Sequence, residues 1–140
     1  DMNRLQVLHE AGQSLWLDFL RRGLITDGGL ARLIHEDGVT GVTSNPTIFA
    51  KAMVGSNDYD DAVGRIARRG TTLPLDAFYD LALDDIRLAA DLFAPVYERT
   101  GGGDGFVSFE LEARLAELEL DRSSHPLLPS RLRPGLTSPG

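Results

Sequence analysis

Three polar side chains close short apolar runs of the sequence, and their types suit acid–base chemistry or the binding of hydroxyl groups. The runs span residues 14–18, 41–45 and 105–110, and the side chains that close them are Asp18, Asn45 and Glu110. If the runs are parallel strands, their carboxyl ends meet at one edge of a sheet, where α/β proteins bind ligands. Asp18 and Glu110 could there divide acid and base roles.

The end of the second run carries the densest polar cluster, Thr43-Ser44-Asn45-Pro46-Thr47. Asn45 offers donors and an acceptor for a hydroxyl or carbonyl group, so Asn45, Thr43 and Ser44 are candidate substrate-binding residues. The alternative is a strand-to-helix turn held by side-chain caps, with Pro46 in the first helical turn. That alternative is strong for Ser44 and Thr47 and weaker for Asn45.

Each candidate carboxylate also has a purely structural alternative. Asp18 precedes a new element at Phe19 and could cap a helix or order a loop, which is about as well supported as a functional role. Glu110 could be a solvated side chain at a strand exit, and without other information this is the favoured interpretation.

Lys51 is the only lysine of the chain, and the other 13 of the 14 basic residues are arginine. A lysine that forms an imine must be unprotonated and held in a pocket of low dielectric constant. Lys51 lies six residues beyond Asn45, on the helix or loop that leaves the strand. We therefore expect it to be exposed to solvent and not catalytic.

Composition excludes several classes of protein. The absence of cysteine excludes disulfides, a thiolate nucleophile and a cysteine zinc site, and the three scattered histidines give no metal-ligand spacing. The net charge of −7 argues against binding to nucleic acid or to an anionic membrane. Neither an apolar run long enough to span a membrane nor a signal-peptide pattern is found, so a cytoplasmic location is expected.

Helical patterns separate the three apolar runs. The first is predicted from a cap at Thr26 through Asp37 with Gly38 as its stop, and the second from a cap at Ser56 or Asn57. The third runs from about Leu75 to Arg99, with a kink or early end expected at Pro95 and termination at Gly101–Gly103. The glycine-rich segment 101–105 leads from a helix into a strand, so it is interpreted as a turn and not a phosphate loop.

This order of elements predicts an α/β protein with a parallel sheet, since strands alternate with helices. Each run is apolar nearly throughout, which is typical of strands buried on both faces. Residues 122–140 carry three arginines, four prolines and no acid, and are expected to form an irregular, disordered tail.

The chain resembles the N-terminal region of transaldolases at the residues just described. The resemblance rests on Gln13–Asp18, on Asp37–Phe49 with its GVTSNPT motif, and on Asp104–Glu110 followed by Ala113–Ala116. It covers roughly residues 10–116 and is closest to the longer bacterial branch, which includes fusions with glucose-6-phosphate isomerase.

The resemblance implies a (β/α)8 TIM barrel that moves a dihydroxyacetone unit between ketose and aldose phosphates, in the non-oxidative pentose phosphate pathway. Sedoheptulose 7-phosphate and fructose 6-phosphate are the implied substrates, and no metal or organic cofactor is used. It further implies that Asp18 assists proton transfer at the substrate hydroxyl and that Asn45 contacts the substrate. Glu110 would act with a water in dehydrating the carbinolamine.

The lysine that forms the Schiff base in the family lies on the fourth strand, and this chain has no counterpart to its motif. We therefore expect residues 1–121 to be the N-terminal part of the barrel, about three strands with their helices, and 122–140 to be the tail. A truncated or frameshifted product, inactive alone and marginally stable, would have this form. The alternative is a non-enzymatic remnant or assembly module that binds a partner chain, or itself, through an open sheet edge.

Overall fold

A computed structural model describes residues 3–70 and 74–110, and the interpretation of 122–140 as a tail lies outside these ranges. Within them the elements follow one another as α1 (Arg4–Glu10), β1 (Leu15–Asp18), α2 (Arg22–Thr26), α3 (Gly29–Glu36), β2 (Val39–Ser44), α4 (Pro46–Val54), α5 (Asp60–Arg69), α6 (Pro74–Arg99) and β3 (Phe106–Phe109).

The three strands form one parallel sheet in the order β1-β2-β3. Its register places Asp18 of β1 beside Thr43 of β2, and Thr43 beside Ser108 of β3. Helices connect each strand to the next. The predicted α/β class is therefore confirmed, and the arrangement is that of the first three strands of a partial TIM barrel.

The two faces of the sheet differ within the described ranges. Leu17, Val42 and Val107 stand in register and pack with the helices. On the other face, Trp16 and Phe106 keep 41% and 42% of their surface exposed. Burial on both faces, expected for all three strands, thus describes β2 but is wrong for β1 and β3, because the described helices pack against the Leu17–Val107 side.

Helix α6 contributes buried residues to both hydrophobic clusters of the core. Its buried residues Ile86, Ala89 and Phe93 pack against the sheet, and Leu81 and Ala82 pack in a second cluster with α4 and α5. The predicted helix from Leu75 to Arg99 is thus confirmed. Of the two effects expected at Pro95, a kink or an early end, the early end is wrong, since α6 continues four residues beyond. Burial of Phe93 and Val96 on either side stabilises the helix across the missing hydrogen bond.

Two predicted caps are wrong. Thr26 ends α2 instead of opening a long helix, and α3 starts after Gly28, whose φ of +82° favours glycine. Helix α5 begins at Asp60 after Tyr59, so neither Ser56 nor Asn57 caps it.

The helix ends predicted at glycines, unlike the predicted caps, agree with the structure. Gly38, with a φ of +72°, follows α3 as expected. Gly101 and Gly102 have positive φ angles and donate their N–H groups to carbonyls of the last turn of α6, which confirms the glycine-rich turn. Among the described helices, none is long and apolar enough to cross a membrane.

Candidate active site at the carboxyl ends of the strands

The carboxyl end of β1 brings Asp18 against Thr43 of the neighbouring strand. The Thr43 hydroxyl donates to Asp18 Oδ1 at 2.7 Å, and the Asp18 side chain remains exposed. The helix-cap alternative for Asp18 does not describe this geometry, because α2 begins at Arg22 with Arg21 in the cap position. The carboxylate is thus held by one hydroxyl and open to a ligand.

Glu110 leaves β3 at the same end of the sheet. Its backbone N–H donates to the Ser44 carbonyl at 3.0 Å, which extends the pairing of β3 with β2 by one step, and its side chain is exposed. Since β2 lies between β1 and β3, the strands that carry Asp18 and Glu110 are about 10 Å apart, two strand spacings.

Asn45 sits between these strands as the N-cap of α4. Its backbone is extended, and its Oδ1 accepts the Ile48 N–H at 2.9 Å, with Pro46 as the first helical residue. The capping alternative therefore accounts for the oxygen of Asn45. The Nδ2 group makes no hydrogen bond with other residues of the described ranges and is available as a donor to a ligand.

Ser44 occupies a different environment from Thr43. It is 2% exposed, and its Oγ finds no hydrogen-bond partner within the described ranges. Since side chains alternate along β2, Ser44 shares the face of Val42, which packs against the helices, whereas Thr43 lies on the face of Asp18. The three polar side chains 43–45 are consequently not one cluster.

Lys51 lies in the second turn of α4 with an exposed side chain. Within the described residues, the Lys51 amine forms no hydrogen bond or ion pair with Asp18, Asn45 or Glu110. The predicted exposure of Lys51 is confirmed. An exposed side chain does not meet the condition for imine formation, a pocket of low dielectric constant.

Arg22, Tyr59 and Asp85 form a cluster at the far end of the loop 19–21, in which Tyr59 and Asp85 are buried and Arg22 is partly exposed. Arg22 Nε donates to Asp85 Oδ1 at 2.7 Å, and the Tyr59 hydroxyl donates to Asp85 Oδ2 at 2.6 Å. The Arg22 guanidinium lies 4.9 Å from the centre of the Tyr59 ring. Asp85 is fully buried.

Burial raises the pKa of Asp85, and the hydrogen bonds from Tyr59 and Arg22 oppose that rise. Burial also raises the pKa of Tyr59, as does its hydrogen bond to Asp85, so the phenol stays protonated and acts as a donor. The sequence analysis missed this cluster. One signal in the sequence could have indicated it. Asp85 is a charged residue next to Ile86, on the helix face that also carries the apolar residues Ala82 and Ala89.

At the opposite end of the sheet, Asp104 gathers donors from the starts of the strands. Ser14 Oγ and Trp16 Nε1 donate to its carboxylate at 2.5 and 3.0 Å, and the Gly105 N–H donates at 3.0 Å. Burial acts to raise the pKa of Asp104, but these hydrogen bonds and one from Thr40 outweigh it and hold the pKa below its ordinary value. At this end of the sheet, the carboxylate of Asp104 is thus already bonded to donors of the chain itself.

Acidic and histidine side chains do not come together in threes as a metal site would need anywhere in residues 3–70 and 74–110. The polar groups on the open rim, a carboxylate held by threonine, an amide donor and a glutamate, suit a hydroxylated organic ligand.

Comparison with known proteins identifies the relatives of this chain. Residues 15–120 match the family of "Transaldolase/Fructose-6-phosphate aldolase". The chain is 47% identical to a transaldolase of Thiobacillus denitrificans over 115 residues, 82% of this chain and 32% of that protein. It is 50% identical to a transaldolase of Saccharopolyspora erythraea over 114 residues, 81% of this chain and 30% of that protein.

The chain thus spans about a third of the length of these curated relatives, all of them bacterial. The matched region contains the whole rim, from Asp18 of β1 to Glu110 beyond β3. The chain belongs to the transaldolase/fructose-6-phosphate aldolase family.

Proposed function

We propose that this chain supplies the first three strands of a transaldolase-type active site, which transfers a dihydroxyacetone unit from a ketose phosphate to an aldose phosphate. The observation that carries the proposal is the shared rim of the sheet, where Asp18 with its Thr43 donor, Asn45 and Glu110 follow adjacent strands. Fructose 6-phosphate and sedoheptulose 7-phosphate are the proposed donors, in the cytoplasmic pentose phosphate pathway.

In the proposed reaction an amine adds to the ketose carbonyl, and the carbinolamine loses water to give the Schiff base. Glu110 is proposed to act with a water in that dehydration. Asp18 is proposed to accept the proton of the substrate hydroxyl as the carbon–carbon bond breaks, and the Thr43 hydroxyl keeps its carboxylate oriented. The free Nδ2 of Asn45 is proposed to donate to a substrate oxygen.

We propose further that these 140 residues do not perform the reaction alone, because the amine is missing. Lys51 is the only lysine, and its side chain is exposed on α4 instead of being held in the pocket of low dielectric constant that imine formation requires. The residues that assist the chemistry are present, while the nucleophile that they would assist is absent.

Borohydride trapping tests the proposed inactivity of the chain alone. The chain is incubated with fructose 6-phosphate and sodium borohydride and examined by mass spectrometry, and we expect no adduct. An adduct on Lys51 would overturn the proposed inactivity.

A second experiment, without borohydride, adds the part of the Thiobacillus denitrificans transaldolase that this chain does not match, as a separate polypeptide proposed to carry the Schiff-base lysine. Transfer to an aldose phosphate is expected to appear and to be lost with Asp18→Asn. The matched control is Asp84→Asn, an exposed aspartate on α6. Transfer that survives Asp18→Asn unchanged would contradict the role proposed for Asp18.

The second candidate function is an assembly module without catalysis. The observation that favours it is that β1 and β3 each pair with one strand within the described ranges, which leaves an edge on each side of the sheet. Stoichiometric co-purification of a partner chain that cannot form the borohydride adduct would favour this function over the first.

A further inference from the structure

The loop 19–21 joins Asp18 to α2, and side chains from a distant part of the chain hold its far end. Helix α2 has no side-chain cap of its own. Instead the Arg22 N–H donates to the Tyr59 hydroxyl at 3.0 Å, and the Gly23 N–H donates to Asp58 Oδ2 at 2.9 Å. Asp58 and Tyr59 thus cap α2 from outside.

This external cap is itself fixed in the core. Tyr59 is 2% exposed, its ring packs edge-on against Phe49 at 5.3 Å, and its hydroxyl donates to the fully buried Asp85. Arg22 returns from the loop to the same carboxylate at 2.7 Å. The hydroxyl of Tyr59 therefore links the backbone at the start of α2, where the loop ends, to Asp85 of α6.

The near end of the loop is equally constrained. Asp18 accepts the hydrogen bond from Thr43, and Leu20 is 1% exposed within the main core cluster. Only four peptide bonds separate Asp18 from Arg22. A change in how Arg22 is anchored consequently reaches Asp18 through a short segment with few free torsions.

We propose that Arg22, Tyr59 and Asp85 are positioning residues that anchor the loop 19–21 and so hold the Asp18 carboxylate against Thr43. That this anchoring matters for catalysis rests on the function proposed above for Asp18. The anchoring of the Asp18 carboxylate is a structural proposal and does not depend on that function. Gly23 supports the same anchor, because a Cβ there would lie 2.5 Å from Asp58 Oδ2 and displace the external cap.

Tyr59→Phe tests the proposal in the full chain, since it removes the hydroxyl and keeps the ring. We expect the amide protons of Arg22 and Gly23 to exchange about tenfold faster in the variant, while that of Ala89 in α6 does not change. We also expect the three-bond couplings that report χ1 of Asp18 to move from one rotamer toward an average. The matched control Asp84→Asn, one residue from Asp85, is expected to change neither.

A folded Tyr59→Phe variant with unchanged Asp18 couplings would overturn the proposal, even if its stability fell. Should that variant not fold, Arg22→Gln replaces it, because the Arg22 side chain is partly exposed and its loss leaves the rings in place. Arg22→Lys, which keeps a charge beside Asp85, is expected to restore the couplings toward those of the natural chain, and couplings unaltered in Arg22→Gln would again overturn the proposal. These measurements need no turnover, so they stand apart from the outcome of the trapping experiment.

Discussion

At the residue scale, the two ends of the sheet differ in how far their carboxylates are satisfied. Asp104, 7% exposed, is surrounded by donors from Ser14, Trp16 and Gly105. Asp18 at the other end has one protein donor and stays exposed. The carboxylate that can still accept hydrogen bonds from a ligand, Asp18, therefore lies at the carboxyl ends of the strands, where barrels bind ligands.

Asp104→Asn is expected to lower the free energy of unfolding by about 1–3 kcal/mol at pH 7, because several hydrogen bonds lose their charged acceptor. The pKa of Asp104 is lower in the folded chain than the ordinary value of about 3.9 in the unfolded chain. Its stabilising contribution is thus fully present above that unfolded value and is lost as the pH falls through the folded pKa.

Urea unfolding at pH 7 and at about pH 3 checks this prediction, with the difference between natural chain and variant shrinking at the acid end. The control Asp84→Asn removes a 3.6 Å ion pair whose partners are both more than half exposed. It is expected to have little effect at either pH. A difference between the natural chain and Asp104→Asn that is constant with pH would contradict the prediction.

Gly41→Ala is expected to destabilise the chain by about 1–3 kcal/mol, because the added methyl group overfills a packed contact. A Cβ at this position of β2 would lie 2.4 Å from Trp16 Cε2. The Trp16 ring cannot retreat without weakening its hydrogen bond to Asp104. Thermal unfolding gives the stability, and the fluorescence of Trp16, the only tryptophan, reports its displacement.

Gly64→Ala is the control for Gly41→Ala. Gly64 lies inside α5, and a Cβ there would meet nothing closer than Arg68 Nη1 at 3.4 Å. Alanine favours the helix over glycine, so stability should rise by about 0.5–1 kcal/mol with Trp16 fluorescence unchanged. Equal losses in both variants would show that steric overlap with Trp16 is not the cause.

At the element scale, predictions from sequence were best where a pattern is long and locally determined. Helix α6 can be located nearly to the residue, since apolar residues repeat at helical spacing from Phe78 to Phe93, over about four turns. The break between α2 and α3 was missed because apolar residues continue on both sides of Gly28. Helix α1 has no buried residue, so an apolar pattern could not indicate it.

The positions of the candidate site residues follow from an equally local pattern, and their roles remain predictions. A period of two and the direction of parallel strands suffice to place Asp18, Asn45 and Glu110 at one edge of the sheet. The cluster of Arg22 and Asp85 depends on contacts across 63 residues. Tertiary packing alone determines such contacts, and the same packing makes Tyr59, not Ser56 or Asn57, the residue before α5.

The two roles of Asn45, a helix cap and a proposed ligand donor, can be separated by substitution. Asn45→Asp keeps the oxygen that accepts the Ile48 N–H and should leave stability within about 0.5 kcal/mol, since a negative charge is favourable at a helix N-terminus. Asn45→Ala loses the cap and should cost about 1 kcal/mol. Urea unfolding of both variants measures the cap.

The ligand role is measured separately, as transfer activity when the lysine-bearing polypeptide is supplied. Both variants are expected to lose activity, because both lack the Nδ2 donor. Activity that follows stability instead, retained in Asn45→Asp and reduced in Asn45→Ala, would assign Asn45 to the cap alone.

At the scale of the whole molecule, the described strands are three where a closed TIM barrel has eight. Within residues 3–70 and 74–110, β1 and β3 each leave backbone groups unpaired along one side, and one face of the sheet carries Trp16 and Phe106 at 41% and 42% exposure. An edge strand with apolar neighbours is a template for pairing with another chain. These two features, the strand edges and the apolar face, are the reason to expect that the chain associates.

We therefore expect the unsubstituted chain of 140 residues to self-associate, with a sedimentation coefficient that rises with protein concentration. Phe106→Lys places a charge on the exposed face of the edge strand β3 and is expected to shift this rise to higher concentration. Leu88→Lys, at an equally exposed apolar residue on α6, is the matched control and should sediment like the unsubstituted chain. An unsubstituted chain that remains a single monomeric species over the whole concentration range, or a shift of the same size in both variants, would contradict association through the open sheet.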